Sequence, residues 1–239
     1  MAGGVRELLV VRHGESTANA AFARAEAAGL VEAGIDGRDA DVPLSARGRA
    51  QAAGFGRWLA ALPEEEFPEV ALCSPYRRAG QTLRIAFDHV RTAGRAVPEI
   101  VVDDRLRDRV TGTLELLTRA AIDERFPAEA ARRAAAGEFA YRPPGGESMM
   151  DVAARLRQLC ADVSTRFADL RVLAMAHDAV VLMLRHVIDG LSIHDLQRVV
   201  AAGPVRNASV TRWARDTGGL RLLEYNTVPA AAAGGVSED

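Results

Sequence analysis

The sequence contains no lysine, so all 30 of its basic residues are arginine. A GC-rich coding sequence explains such a bias, and arginine also offers planar, bidentate phosphate binding that lysine cannot match. Aromatic residues make up only 5% of the chain, and the formal net charge is only −2. A charge balance this close to neutral gives no general attraction to nucleic acid or to anionic membranes, so we expect neither as a partner.

Cysteines and long apolar runs are also scarce. Cys73 and Cys160 are the only two cysteines among 239 residues, too few for a disulfide framework. No stretch approaches the roughly 20 apolar residues of a membrane-spanning helix, and the N-terminus reaches the first apolar run too soon for a signal peptide. We therefore expect a cytoplasmic protein. The cysteines lack metal-ligand spacing and no H-E-x-x-H motif occurs, so we expect neither a metal nor another cofactor.

Short apolar runs at 7–12, 69–73, 99–102 and 171–176 predict buried strands. Helical patterns lie between the runs, with serines as N-cap residues at Ser45 and Ser148. Strands that alternate with helices favour βαβ units. The pattern predicts an α/β three-layer sandwich with a mostly parallel central sheet and helices on both faces.

Two regions depart from this alternation. Residues 113–146 are rich in alanine, arginine and glutamate, and they predict a small helical cap insertion over the carboxyl edge of the sheet. Residues 208–215 and 220–225 flank a turn and predict a hairpin at a sheet edge, where two copies could pair as a homodimer. We expect a single domain over 1–229 and a disordered tail over 230–239.

Two histidines directly follow predicted strands. Arg12, His13 and Gly14 end the first run, and His177 ends the last one. In a parallel sheet both imidazoles would lie at the carboxyl edge, where α/β folds build their sites. A neutral imidazole can attack phosphorus, guanidinium groups can bind the phosphoryl oxygens, and an acid must protonate the leaving group. The pattern therefore indicates phosphoryl transfer through histidine.

Five segments also carry a family resemblance, and they occur in the family's order over roughly residues 6–226. The chain resembles the histidine phosphatase superfamily, the phosphoglycerate-mutase-like enzymes, in VRHGESTAN at 11–19, DVPLSARGRAQA at 41–52, SPYRRA at 74–79, GGES at 145–148 and AHDA at 176–179. This resemblance implies a nucleophile at His13, phosphate ligands at Arg12 and Arg78, and a second imidazole at His177.

The resemblance also implies polar contacts to phosphate or substrate from Ser16 and Asn19, although Asn19 equally fits a helix cap. Asp178 would lie beside the phosphate pocket, either turned away or paired with an arginine. The arginines of the cap are predicted to be mostly solvated, with Arg142 the best placed to reach the substrate. Residues 20–42 are expected to form an active-site loop.

The proton donor is the least conventional part of the predicted site. Asp108 occupies the position where the family usually has a glutamate, and its side chain is shorter by about 1.5 Å. Glu115 is the nearest substitute. We favour Asp108 because its place in the motif outweighs the length of its side chain.

These features together predict a metal-independent phosphatase that hydrolyses a small phosphomonoester through a phosphohistidine at His13. One alternative is phosphoglycerate mutase-type transfer, which uses the same residues but returns the phosphoryl group to the substrate. The other is a catalytically weak phosphate-binding regulatory module, which the unusual Asp108 and Asp178 keep open.

Overall fold

The computed structural model describes residues 4–233. Its strands are β1 (Glu7–Arg12), β2 (Val70–Cys73), β3 (Ile100–Val102), β4 (Arg171–Ala176), β5 (Val210–Asp216) and β6 (Gly219–Thr227). They form one six-stranded sheet in the order β3-β2-β4-β1-β5-β6. The first four strands are parallel to one another, and the β5–β6 hairpin adds two antiparallel pairings, β5 with β1 and β5 with β6, at one edge. The four predicted strands and the edge hairpin are therefore confirmed.

Helices surround this sheet. They are α1 (Thr17–Ala27), α2 (Ala46–Ala60), α3 (Arg77–Thr92), α4 (Arg119–Arg125), α5 (Pro127–Ala136), α6 (Met149–Arg166), α7 (Asp178–Asp189), α8 (Ile193–Ala201) and α9 (Ala230–Ala233). Ser45 caps α2 and Ser148 caps α6, each accepting a hydrogen bond from a backbone N–H three residues on. Within residues 4–233, no helix is both long and apolar enough to span a bilayer.

Alternate side chains of the strands point to opposite faces of the sheet. Leu8 and Val10 of β1 belong to an apolar cluster with α6, α7 and α8, whereas Leu9 and Val11 pack with α2 and α3 on the other face. This gives the predicted three layers. Cys73 lies in the second cluster and Cys160 packs against the first, so the two thiols stay free.

The predicted cap is an insertion between β3 and α6. It comprises α4, α5 and a 3-10 turn at Gly112–Leu114, with a small apolar cluster of its own made by Leu114, Ile122 and Tyr141. These three residues line the same cavity as His13, so the cap lies over the carboxyl edge of the sheet as predicted.

Two segments differ from the sequence-based expectation. α1 fills the first part of the expected 20–42 loop because Ser16 and Asn19 cap its start, which leaves 28–38 irregular. The predicted disordered tail begins instead with α9, where the carbonyl of Ala231 accepts a hydrogen bond from Arg57. Residues 234–239 lie outside the described part of the chain.

Candidate active site

The parallel half of the sheet brings the predicted site residues together. His13 follows β1, Ser74 follows β2 and His177 follows β4, while Asp108 lies in the loop after β3. These four strands are adjacent, and the register places Arg12 opposite Ala176. The rings of His13 and His177 consequently meet edge to face with their centroids 5.0 Å apart.

His13 is held as a neutral imidazole. Its Nδ1 lies 2.6 Å from the carbonyl oxygen of Gly14, which can only accept, so Nδ1 carries the proton. Its Nε2 accepts a hydrogen bond of 3.1 Å from Nε of Arg78. Burial, followed by electrostatic interactions with His177, Arg78 and Arg12, lowers the pKa of His13 well below its ordinary 6.5. Nε2 of His13 is therefore unprotonated at neutral pH, and its lone pair faces Arg78.

The backbone after His13 passes so close to α2 that only glycine fits. A Cβ on Gly14 would overlap the carbonyl oxygen of Gly48, and one on Gly48 would overlap that of Glu15. The N–H of Gly14 donates to Oγ1 of Thr82 at 3.1 Å. This packing explains the glycines in the first two family-like segments, and it fixes the position of the His13 ring.

Arg78 lies at the start of α3 and is almost fully buried. It donates to His13 Nε2, and its two terminal nitrogens bind the carboxylates of Asp39 and Asp108. The guanidinium also stacks over the ring of Tyr76, 4.9 Å from the ring centroid. The structure thus brings Arg78 to the nucleophile as predicted, and it adds Asp39, which the sequence did not single out.

Arg12 reaches the cavity from the other side of His13. Its Nη2 lies 3.5 Å from Asp178 Oδ2, and its Nη1 donates to the carbonyl of Val205. Its Nε is buried and has no hydrogen-bond partner within residues 4–233. A buried guanidinium donor without a partner favours an anion beside it, because an unmade hydrogen bond in the interior is costly. Asp178 is paired with an arginine, one of the two arrangements that the sequence left open.

Asp108 is charged in this arrangement. Its Oδ2 lies 2.8 Å from Nη2 of Arg78 and 3.3 Å from Nδ1 of His177. Burial raises the pKa of Asp108, but the interactions of its carboxylate with His177 and Arg78 outweigh burial and hold that pKa well below 3.8. Glu115, the alternative acid, is exposed and accepts a hydrogen bond from the backbone N–H of Asp39. The geometry favours Asp108 of the two, since it alone lines the cavity.

His177 is oriented by Ser74, a residue whose role the sequence did not reveal. The Ser74 hydroxyl accepts from the N–H of Tyr76 at 3.2 Å and lies 2.8 Å from Nε2 of His177. The other ring nitrogen of His177, Nδ1, is buried and has no hydrogen-bond partner within residues 4–233. That nitrogen faces Asp108 and is suited to donate to an oxygen in the cavity.

Ser16 and Asn19 line the cavity, and both take part in the cap of α1. The Ser16 hydroxyl accepts from the N–H of Asn19, and the Asn19 side chain accepts from the N–H of Ser16. Asn207, which the sequence did not single out, donates to Asn19 and to the carbonyl of His13. The helix-cap interpretation of Asn19 is therefore correct, and a contact of Ser16 or Asn19 with substrate stays a prediction.

The prediction for Arg142 is wrong. Its side chain is 62% exposed and pairs with Asp151, which places it on the outer surface rather than in the cavity. Arg109 and Arg133 line the cavity from the cap instead. Arg133 was predicted to be solvated, yet its side chain is only 11% exposed. Sequence could not separate these arginines because the face of a short helix that turns inward depends on how the cap packs.

The cavity between sheet edge and cap has a volume of about 540 Å³, a size typical of small-molecule sites. His13, Asp108 and His177 offer potential metal-ligand atoms within 4.8 Å of one another. Two of these side chains, however, already accept hydrogen bonds from Arg78, whose positive charge repels a cation. A neutral buried imidazole between two guanidinium groups defines an anion-binding site of the phosphoryl-transfer class.

Comparisons with known proteins agree with a site of the phosphoryl-transfer class. The family model of the histidine phosphatase superfamily (branch 1) matches residues 8–228. A 2,3-bisphosphoglycerate-dependent phosphoglycerate mutase 2 from Gloeobacter violaceus is 30% identical over 197 residues, which cover 80% of each chain. A glucosyl-3-phosphoglycerate phosphatase from Mycobacterium tuberculosis is 33% identical over 158 residues, which cover 66% of this chain and 60% of the relative.

A solved structure is similar over nearly the whole chain. The native structure of a mycobacterial glucosyl-3-phosphoglycerate phosphatase superposes with a TM-score of 0.67 at 26% identity, covering 94% of this chain and 100% of that one. The chain belongs to the histidine phosphatase superfamily, as its five family-like segments predicted. It is an enzyme of the phosphomonoester hydrolase class.

Proposed function

We propose that the protein hydrolyses a small phosphomonoester in two steps through a phosphohistidine at His13. In the first step, Nε2 of His13 bonds to phosphorus as the ester P–O bond breaks, and the leaving oxygen takes a proton from Asp108. In the second step, water gives a proton to Asp108 and attacks phosphorus, and the N–P electron pair returns to Nε2. The neutral, buried His13 with its Nε2 turned toward Arg78 is the observation that carries this proposal.

The arginines and the second histidine supply the electrostatic part. Arg12 and Arg78 would bind the phosphoryl oxygens, and the Nδ1 proton of His177 would stabilise the charge that grows on them. Asp108 must be protonated to act as an acid, although its pKa is low beside His177 and Arg78. A phosphate dianion would engage those same cations and add negative charge next to Asp108, which raises the pKa of the carboxyl when substrate binds.

Hydrolysis is favoured over mutase transfer by the access of solvent to the cavity. Two of the residues that line it, Asp178 and Val200, are 49% and 52% exposed. Water can therefore reach the phosphohistidine, whereas a mutase must keep it out. Mutase transfer stays a second candidate because the Gloeobacter violaceus relative, at 30% identity, is named for that activity.

The substrate class is inferred from the cap. Burial lowers the pKa of the Arg109 guanidinium, and Nε of Arg133 is buried without a hydrogen-bond partner in the described part of the chain. Arg133 pairs through Nη2 with Asp123 at 3.1 Å, and its Nε lies 3.6 Å from Oε1 of Glu138, so a negative group of the substrate would compete with Glu138 for that Nε. We infer that the leaving group of the substrate carries a carboxylate, as a phosphorylated hydroxy acid does, in keeping with the phosphoglycerate-derived names of the relatives.

The test is a panel of phosphoglycerates, glycosylated phosphoglycerates, sugar phosphates and nucleotides, each assayed with and without a chelator. We expect chelator-resistant release of inorganic phosphate, fastest from esters with a carboxylate. Isomerised product instead of free phosphate would establish mutase transfer. Binding of phosphate or vanadate without turnover of any ester would instead establish the regulatory module, and loss of activity with chelator would overturn the metal-independent mechanism.

A further inference from the structure

Asp39 occupies the position at Arg78 that the proposed function gives to the phosphoryl group. Its Oδ1 lies 2.9 Å from Nη1 of Arg78, and its Oδ2 lies 3.1 Å from Nη2. This is the two-pronged pairing by which a guanidinium also binds phosphate oxygens. Asp39 lines the cavity together with His13, so its carboxylate lies on the path of an anion toward the nucleophile.

Every donor of Arg78 is used by the protein itself. A guanidinium has five N–H groups. The Nε group bonds His13, the two Nη1 groups bond the carbonyl and the carboxylate of Asp39, and the two Nη2 groups bond the carboxylates of Asp39 and Asp108. A phosphoryl oxygen can consequently reach Arg78 only by displacing one of these partners.

Asp39 is the partner that can leave at the lowest cost. It follows an irregular segment, 28–38, in which Gly34 and Gly37 have positive φ angles, whereas His13 directly follows β1. Burial raises the pKa of Asp39 even though Arg78 opposes the shift, while the pKa of Asp108 is lowered. The charged form of Asp39 is thus the less well stabilised of the two carboxylates.

The charges around the pocket also favour displacement of Asp39 from Arg78. Asp39, Asp108 and Asp178 surround the pocket, against the guanidinium groups of Arg12 and Arg78. A phosphate dianion placed beside Asp39 would meet a like charge within a few ångströms. Moving the Asp39 carboxylate away from Arg78 relieves this repulsion, and it frees one N–H group on each terminal nitrogen of the guanidinium.

The backbone of Asp39 is anchored even though its side chain can leave. Its N–H donates to Oε1 of Glu115 at 2.8 Å, and its segment also contacts the cap where Val31 accepts from Thr118 and Glu32 pairs with Arg125. The carboxylate would therefore stay close after displacement and could return to Arg78 when the phosphate product is released.

We propose that Asp39 is an internal competitor of the phosphoryl group for Arg78, displaced on binding and restored on product release. The inference rests on the proposed role of Arg78 as a phosphate ligand. It makes Asp39 a residue that weakens binding of inorganic phosphate, the product, and so keeps the product from occupying the site.

The test is calorimetric titration of the whole protein with inorganic phosphate, and with vanadate as a second probe. Asp39→Asn keeps the shape of the side chain but removes its charge, and Asp39→Ala removes both carboxylate oxygens. We expect each variant to bind phosphate about tenfold more tightly than the parent. Asp41→Asn is the matched control, because Asp41 is exposed on the same 3-10 turn and its side chain has no contact with Arg78.

The outcomes separate the two proposals. Unchanged or weaker phosphate binding in both Asp39 variants, with the parent binding phosphate normally, would overturn the competitor role and leave the proposed function intact. Equal tightening in Asp41→Asn would also overturn it, since a general charge effect would then suffice. If neither the parent nor the Asp39 variants bind phosphate or vanadate, Arg78 is not a phosphate ligand and both proposals fail.

Discussion

The two halves of the cavity are built on different principles. In the sheet half, His13, His177 and Arg78 emerge directly after parallel strands or at the start of a helix, and each is fixed by buried hydrogen bonds. In the cap half, short helices surround a small apolar cluster made by Leu114, Ile122 and Tyr141. The comparison teaches that the fold itself positions the groups for chemistry, while the proposed contacts with the leaving group come from a small insertion.

If this division is right, changes in the sheet half should lower kcat and changes in the cap half should raise KM. The largest effect expected here is that of Asp108→Asn, which removes the acid but keeps the shape. We expect kcat for alkyl phosphates to fall about 10²–10⁴-fold, because the leaving alkoxide then finds no proton. With p-nitrophenyl phosphate, whose leaving group needs no proton, the loss should be much smaller.

Glu115→Gln provides the control for that experiment. Glu115 is exposed and outside the cavity, and glutamine keeps an oxygen that can accept the N–H of Asp39. Its kinetics should match those of the parent. A large loss in Glu115→Gln with a small one in Asp108→Asn would reverse the assignment of the acid.

A smaller effect is expected in the cap. Arg133→Ala should raise KM for a carboxylate-bearing phosphoester about tenfold with little change in kcat, because a buried ion pair with the leaving group is lost in both ground and transition states. Arg142→Ala is the matched control, since Arg142 is exposed and pairs with Asp151 outside the cavity. A fall in kcat with unchanged KM in Arg133→Ala would contradict the division between the halves.

The smallest expected effect concerns the protonation of His13 rather than a loss of activity. Since the pKa of His13 lies well below 6.5, its ring should stay neutral at pH 6, where a histidine titrating at 6.5 would be about three-quarters protonated. The NMR signals of the His13 ring, assigned with His13→Gln, should therefore move little between pH 8 and pH 6. A midpoint near 6.5 would show that burial and the neighbouring cations do not act on this ring as described.

Sequence predicted the sheet half far better than the cap half, for a physical reason. Buried parallel strands appear as uninterrupted apolar runs, so the residue that follows each run, such as His13 or His177, could be placed at the carboxyl edge. Asp39 follows an irregular segment without periodicity, and nothing in its neighbours predicts that it reaches Arg78. The choice between Arg133 and Arg142 depended on the packing of a short insertion, which sequence periodicity does not determine.

The role of Asp108 shows the same limit in the site itself. Its place in the motif predicted a carboxyl group near the histidines, and the structure puts it there. Its ionisation could not be predicted, because that depends on the distances to His177 and Arg78. Those distances arise only when the ends of β2, β3 and β4 are brought side by side.

The central claim is that His13 carries the phosphoryl group. The most direct measurement is a rapid acid-free quench of the enzyme turning over a ³²P-labelled phosphoester, followed by peptide mapping at alkaline pH, where phosphohistidine survives. The account predicts label on the peptide that contains His13, stable in alkali and lost in acid, and no label in His13→Ala. Turnover of the same ester with no label on His13, or with His13→Ala still active at the parent rate, would contradict it.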